Sequence, residues 1–253
     1  MKSLRIAALI LLCCALQARA QTAEKPPGWH GTLGAGPLFV PNYIGGNQLR
    51  ALPLAIAYVD YNDWFYVNLF RAGAYVWSSD DKKKGISLAV EPRIGFHSSD
   101  GSRLTGMATR RSSLLGGPTF DWEGDPGALS VGYFTDLNGA SSGGYLDVLL
   151  SKSLVKNERW DVFGTVEVSR LDSKIVNYYF GVAPAEVTPT RPLYQPGATT
   201  NVTLWVTGQY NLTKRHALMF GANVTHLGGA AAGSPIVERR EPPLFYLGLG
   251  LNL

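Results

Sequence analysis

Glu91, Arg93, Asp147, Asp161 and Glu167 carry the clearest chemical potential in this sequence, because each interrupts a run in which apolar residues recur at every second position. Spaced this way, they share the polar face of their strands. There they either neutralise one another in a closed interior or line a passage for polar solutes, and mutual neutralisation is the expected arrangement. Metal chemistry has less support: His30, His97, His216 and His226 are scattered, with no spacing of His, Cys, Asp and Glu that resembles a ligand set. Ser98 and Ser99 adjoin His97, but a loop-edge cluster of this kind reads as a polar strand end, not as a nucleophile with its base. Nucleophile-elbow and Gly-rich phosphate-loop patterns are absent. The expectation is a chain with no catalytic residues, no metal and no cofactor.

The elements that must position these charges are long strands. Val202, Leu204, Val206, Gly208, Tyr210 and Leu212 alternate with Asn201, Thr203, Trp205, Thr207, Gln209 and Asn211. Ile86 to His97 and Trp160 to Ser169 alternate in the same way. A period of two gives each strand one apolar and one polar face. Strands of soluble proteins usually run about five or six residues, whereas these are roughly twice as long, enough for a tilted strand to cross a hydrocarbon core of ~25 Å. A charge facing hydrocarbon near the midplane costs about 2–4 kcal/mol, so the five charged residues are expected inside the barrel. A periplasmic sandwich or lipocalin-like barrel would use the apolar face against a second sheet, and strand length argues against it.

Composition agrees with that choice. Of 253 residues, 45% are hydrophobic and 17% charged, with 29 Gly, which excludes a disordered or coiled-coil chain. After the first twenty positions no apolar run is long enough for a membrane helix. Residues 1–20 read as a signal peptide: Lys2 and Arg5 precede an apolar stretch from Ile6 to Leu16, and Ala18-Arg19-Ala20 fits a cleavage site. Residues 21–253 then form one barrel, free of cysteine because Cys13 and Cys14 lie in the leader. The whole chain has 23 basic and 19 acidic residues; without Lys2, Arg5 and Arg19 the count is 20 against 19, a net charge of +1. That near-neutral balance removes the electrostatic motive for binding nucleic acid.

Candidate strands fall near 29–40, 49–60, 64–77, 85–97, 111–123, 127–138, 143–155, 158–171, 199–211, 214–227 and 243–253. An even count is normal for a bacterial barrel, so a further strand is expected in 172–198, where Val176 to Val182 is β-prone. Twelve strands are favoured and ten are the second choice, in an all-β transmembrane antiparallel β-barrel. Trp29, Tyr58, Trp64, Trp77, Trp122, Tyr133, Trp160 and Tyr210 lie near strand ends and read as an interfacial girdle. Lys82-Lys83-Lys84 reads as a solvated turn, with contact to lipopolysaccharide phosphates as a second reading. Phe245, Leu247, Leu249, Leu251 and Leu253 are apolar at alternate positions to the terminus, which resembles the C-terminal signal of outer-membrane barrels, although Leu253 replaces the usual terminal aromatic.

Several short motifs follow one another in a familiar order. Gly34-Ala35-Gly36 precedes Pro41, Tyr43 and Gly45; Leu104-Thr105-Gly106-Met107, the Gly-rich stretch Asn138 to Gly144, Tyr178 to Val182, Leu193 to Gly197 and Ser234-Pro235-Ile236-Val237 follow. In this the chain resembles the MltA-interacting protein (MipA/OmpV) family of outer-membrane proteins over essentially its whole length. The resemblance implies a barrel in the cell outer membrane, in contact with membrane lipid and lipopolysaccharide. It also implies a non-catalytic scaffold joining a lytic transglycosylase, which is a murein hydrolase, to a peptidoglycan synthase. A narrow channel for small polar solutes and a surface adhesin are the alternatives.

Overall fold

The computed structural model describes residues 26–253, so the expected signal peptide, 1–20, and Gln21 to Lys25 lie outside the described residues. Twelve antiparallel strands, each bonded to its neighbours in sequence, close between β1 (Trp29–Pro41) and β12 (Pro243–Asn252). Between them run β2 (Leu49–Tyr61), β3 (Phe65–Asn68), β4 (Arg71–Ser78), β5 (Lys84–Arg93), β6 (Ser113–Glu123), β7 (Ala128–Asp136), β8 (Gly144–Lys156), β9 (Trp160–Leu171), β10 (Thr199–Asn211) and β11 (His216–His226). None of the described helices is long and apolar enough to cross a membrane.

Alternation sets the two faces of the wall. On β10, Val202, Leu204 and Val206 are exposed on the outside, whereas Thr199, Asn201 and Thr203 are buried inside. On β12, Leu247, Leu249 and Leu251 point out, and Tyr246, Gly248 and Gly250 point in. An apolar outer surface around the whole circumference is the pattern a barrel needs in a bilayer. Short turns collect at one end, where Asn62, Asp63 and Lys82 adopt left-handed φ of 52°, 54° and 55°. Trp29, Tyr61, Trp64, Trp77, Trp122, Trp160 and Tyr210 lie at this turn end, with Trp160 and Tyr210 ring centroids 4.7 Å apart. Tyr58 is not part of that ring: it points inward and its hydroxyl meets that of Tyr246 at 2.7 Å.

The count of twelve holds, but its composition differs from the expectation in two places. The segment 64–77 is two strands, because the chain reverses at Leu69-Phe70, where Leu69 takes a φ of 54°. The β-prone stretch after Leu171 is a helix, α1 (Ser173–Phe180), and the residues between it and β10 form no strand. Asp172 caps α1 by accepting the Ile175 amide at 2.9 Å. Its apolar residues recur at helical spacing, and burial of that stripe overrides the β-propensity of Val, Tyr and Phe.

This helix closes the loop end. Ile175, Val176, Tyr179 and Phe180 are buried against the inward-facing Leu115, Phe134, Tyr145 and Leu171 of the wall, and against Leu227 and Ala231, the latter on the short helix α2 (Gly229–Ala232). Above them Tyr43, Phe96, Leu104, Met107, Val182 and Ile236, drawn from different loops, form a second apolar core. Each fully buried side chain of this size contributes roughly 1.5–3 kcal/mol, so the loops make a packed lid.

Candidate functional site

Below the lid, charged side chains from four strands converge. Arg71 on β4 donates from Nε to Glu91 Oε2 at 2.9 Å and from Nη2 to Asp147 Oδ2 at 2.8 Å. The Tyr145 hydroxyl donates to the other oxygen of Glu91. Ser169 Oγ lies 3.0 Å from both Asp147 Oδ1 and Glu167 Oε1, and Trp205 Nε1 donates to Glu167 Oε2 at 3.0 Å. The guanidinium of Arg71 also sits 4.6 Å from the ring centroid of Phe134, so it is held by charge on one side and by an aromatic face on the other. Asp147 is 1% exposed, and its two oxygens lie within hydrogen-bond distance of Arg71 and Ser169, the kind of partnership a buried carboxylate requires.

Three of the five residues singled out in the sequence are therefore together: Glu91, Asp147 and Glu167. Arg93 stands apart from their ion pairs. Its guanidinium lies 5.8 Å from the Tyr145 centroid and 5.6 Å from that of Tyr179, and its carbonyl accepts the Tyr179 hydroxyl at 3.2 Å, so it supports α1. Asp161 is six residues along β9 from Glu167, about 20 Å of strand, and its Oδ1 is buried without a hydrogen-bond partner among the described residues. The cation that joins the acids is Arg71, which an unbroken strand over 64–77 would have turned outward. Among the described residues, no three of His, Cys, Asp and Glu are placed to hold a metal ion. His97 meets Thr109, with 3.4 Å between Nδ1 and Oγ1.

A second ionic centre ties the lid together. Arg110 donates from Nη1 and Nη2 to the two oxygens of Glu186, both at 2.8 Å. Glu186 also accepts the amides of Ala108 at 2.9 Å and Ala183 at 3.0 Å. Burial pushes the Glu186 carboxyl up, but its hydrogen bonds from Arg110 and the two amides outweigh that, and hold it below the usual carboxylate range. Arg191 is buried beside it and donates to the carbonyls of Glu186, Arg103 and Thr105.

The interior is not uniformly polar. Opposite the charge cluster, the inward faces of β1, β2, β11 and β12 pack Leu38, Val40, Ile56, Met219 and Tyr246 together, with Leu52, Leu54, Leu69, Phe70 and Leu244 against them. Gly248 and Gly250 make the room: a Cβ on Gly248 would stand 2.4 Å from Ile56 Cδ1, and one on Gly250 2.6 Å from Met219 Sδ.

The charge cluster thus cross-links strands of the wall beneath the packed lid. A search of curated proteins finds no match. A family profile described as MltA-interacting protein MipA aligns with residues 33–252, from within β1 to the end of β12, and the chain belongs to that family.

Proposed function

We propose that the protein is an outer-membrane scaffold that binds a lytic transglycosylase of the MltA kind, and through it a peptidoglycan synthase, without catalysing a reaction itself. The family match along the whole barrel carries this reading, since the family is described by that interaction. The filled interior supports it: a lumen occupied by the Arg71 cluster and capped by α1 is unsuited to solute passage. With the short turns in the periplasm, as is usual for bacterial barrels, the folded loops face outward, among lipopolysaccharide. Lys82-Lys83-Lys84 stands at the turn end, away from that leaflet. Partner enzymes then meet the turns at 62–64 and 157–159, the aromatic rim and the segment before β1.

Co-purification from outer membranes tests the reading. The full-length protein should retain the transglycosylase, and deletion of Gln21 to Lys25 or charge reversal at Glu158 should reduce retention with the barrel still assembled. Failure of the wild-type protein to retain the enzyme, with both present in the same membrane, overturns the scaffold assignment.

A further inference from the structure

The hydrogen-bonded wall is interrupted beside β2. Strand β3 is four residues long and pairs with β2 only from Tyr58 to Tyr61, so among the described residues the loop-end part of β2, Leu49 to Ala57, has a partner strand only in β1. Strand β4 likewise leaves β5 beyond Val90, while β5 continues to Arg93. The gap is bounded below by Leu69-Phe70 and above by Arg50, whose Nη1 lies 3.8 Å from Asp100 Oδ1 of the following long loop.

Both edges of this gap carry a proline turned into it. The Leu69 amide donates to the Ala57 carbonyl at 2.7 Å, so Ala57 turns its backbone groups away from β1. With a period of two, Ala55, Pro53 and Ala51 do the same. On the other side, Leu114 directs its carbonyl to the Leu137 amide at 2.8 Å and its amide to Asn138 Oδ1 at 3.2 Å, both toward β7. Its partner Pro92 therefore turns away from β6 and into the gap. A proline nitrogen cannot donate to a ladder, so the edges stay unpaired.

Outward residues flanking the gap, Ala51, Pro53 and Ala55 on one side and Val90, Pro92 and Ile94 on the other, carry no charge, which places the opening within the apolar band. Beside it, residues 35–37 of β1 and 51–55 of β2 line a hollow of about 630 Å³. Just behind it stands the apolar half of the interior, Leu52, Leu54, Leu38 and Phe70 among its members. We propose that this window admits one acyl chain of a surrounding membrane lipid into the apolar half of the lumen. The chain is the occupant because the outer surface, the sill and the interior are all apolar, and in a bilayer lipid is the molecule in contact with that surface. The proposal rests on the membrane reading of the barrel and is independent of the scaffold role.

The test uses the full-length protein with Cys13→Ser and Cys14→Ser, which removes the two native cysteines. Single cysteines at Leu52, Leu54, the outward Leu204 or the inward Thr207 carry a bimane label, and each protein is placed in vesicles of phospholipid brominated on its acyl chains. Folding is checked by heat-modifiable gel migration, and the two window positions guard against failure of one variant. Quenching at Leu52→Cys or Leu54→Cys at least twofold greater than at Thr207→Cys, with strong quenching at Leu204→Cys, is the expected result. Quenching at Leu204→Cys with both window positions below that threshold overturns lateral admission alone. Absence of quenching at Leu204→Cys overturns the membrane reading and the proposal with it.

Discussion

Arg71 Nη2 and Asp147 Oδ2 lie 2.8 Å apart, joining β4 to β8 across the interior, and that single guanidinium also satisfies Glu91. Truncating one partner of a buried pair leaves the other charge uncompensated, at a cost of about 3–5 kcal/mol. Arg71→Ala should destabilise the barrel by that order in a urea unfolding series. Arg93→Ala, whose side-chain contacts among the described residues are with aromatic faces, should cost about 1 kcal/mol. Equal effects of the two substitutions would remove Arg71 from the centre of the cluster.

Acid should loosen the lid. The carboxyl of Glu186 is held lower in the folded protein than in the unfolded chain, where a glutamate titrates near ~4.3. Its contribution is therefore complete above that value and is lost as pH falls through the lower folded value. Hydrogen-exchange protection of the Ala108 and Ala183 amides, corrected for intrinsic rates, should drop between pH 5 and roughly pH 3. Glu186→Gln should show weak protection at both pH values, and an unchanged acid response in that variant would move the titration to another group.

The two faces of β10 predict opposite tolerance. Val206→Arg places a charge outside, at a cost of about 2–4 kcal/mol in hydrocarbon, whereas Thr207→Arg places it in the interior. Membrane assembly, read as the heat-modifiable fraction, should fall sharply for the first and little for the second. Comparable assembly of both would contradict a lipid-facing outer wall.

Conductance gives a direct measure of the closed interior. The wild-type barrel should pass almost no current in planar bilayers. Replacing residues 173–197, which include α1, with a short Gly-Ser link should raise the single-channel current several-fold, because the buried contacts of Ile175, Val176, Tyr179 and Phe180 with the wall are lost. A large current through the intact protein would give the channel reading first place.

Period two made the long strands and their inner and outer faces legible from residue order alone, and Glu91, Asp147 and Glu167 fall on the inner face for that reason. Arg71 was hidden by a turn without turn residues. In an unbroken strand over 64–77 it shares the face of Phe65, Val67 and Trp77, which would put an arginine in hydrocarbon, and that conflict was the available sign that the chain reverses there. Helix α1 was hidden by composition, since Val, Tyr and Phe favour strands when nothing else is known. Asp172 three residues before the first buried Ile, with the apolar pairs Ile175-Val176 and Tyr179-Phe180 four apart, was the counter-signal. The apolar half of the lumen could not be read from one strand at a time, because it depends on glycines of β12 making space for side chains of β2 and β11.

Pro53 and Pro92 also bear on how the barrel reaches its strand number. During assembly, β2 and β5 run antiparallel and would be free to meet if the β3–β4 hairpin were squeezed out of the wall, giving a ten-stranded competitor with the same outer faces. A ladder between them would need donors at the two positions where the chain has none. The same residues that leave the window open thus penalise the smaller ring and keep the short hairpin in place. Substituting both prolines, for instance with valine, would be expected to let ten- and twelve-stranded products compete.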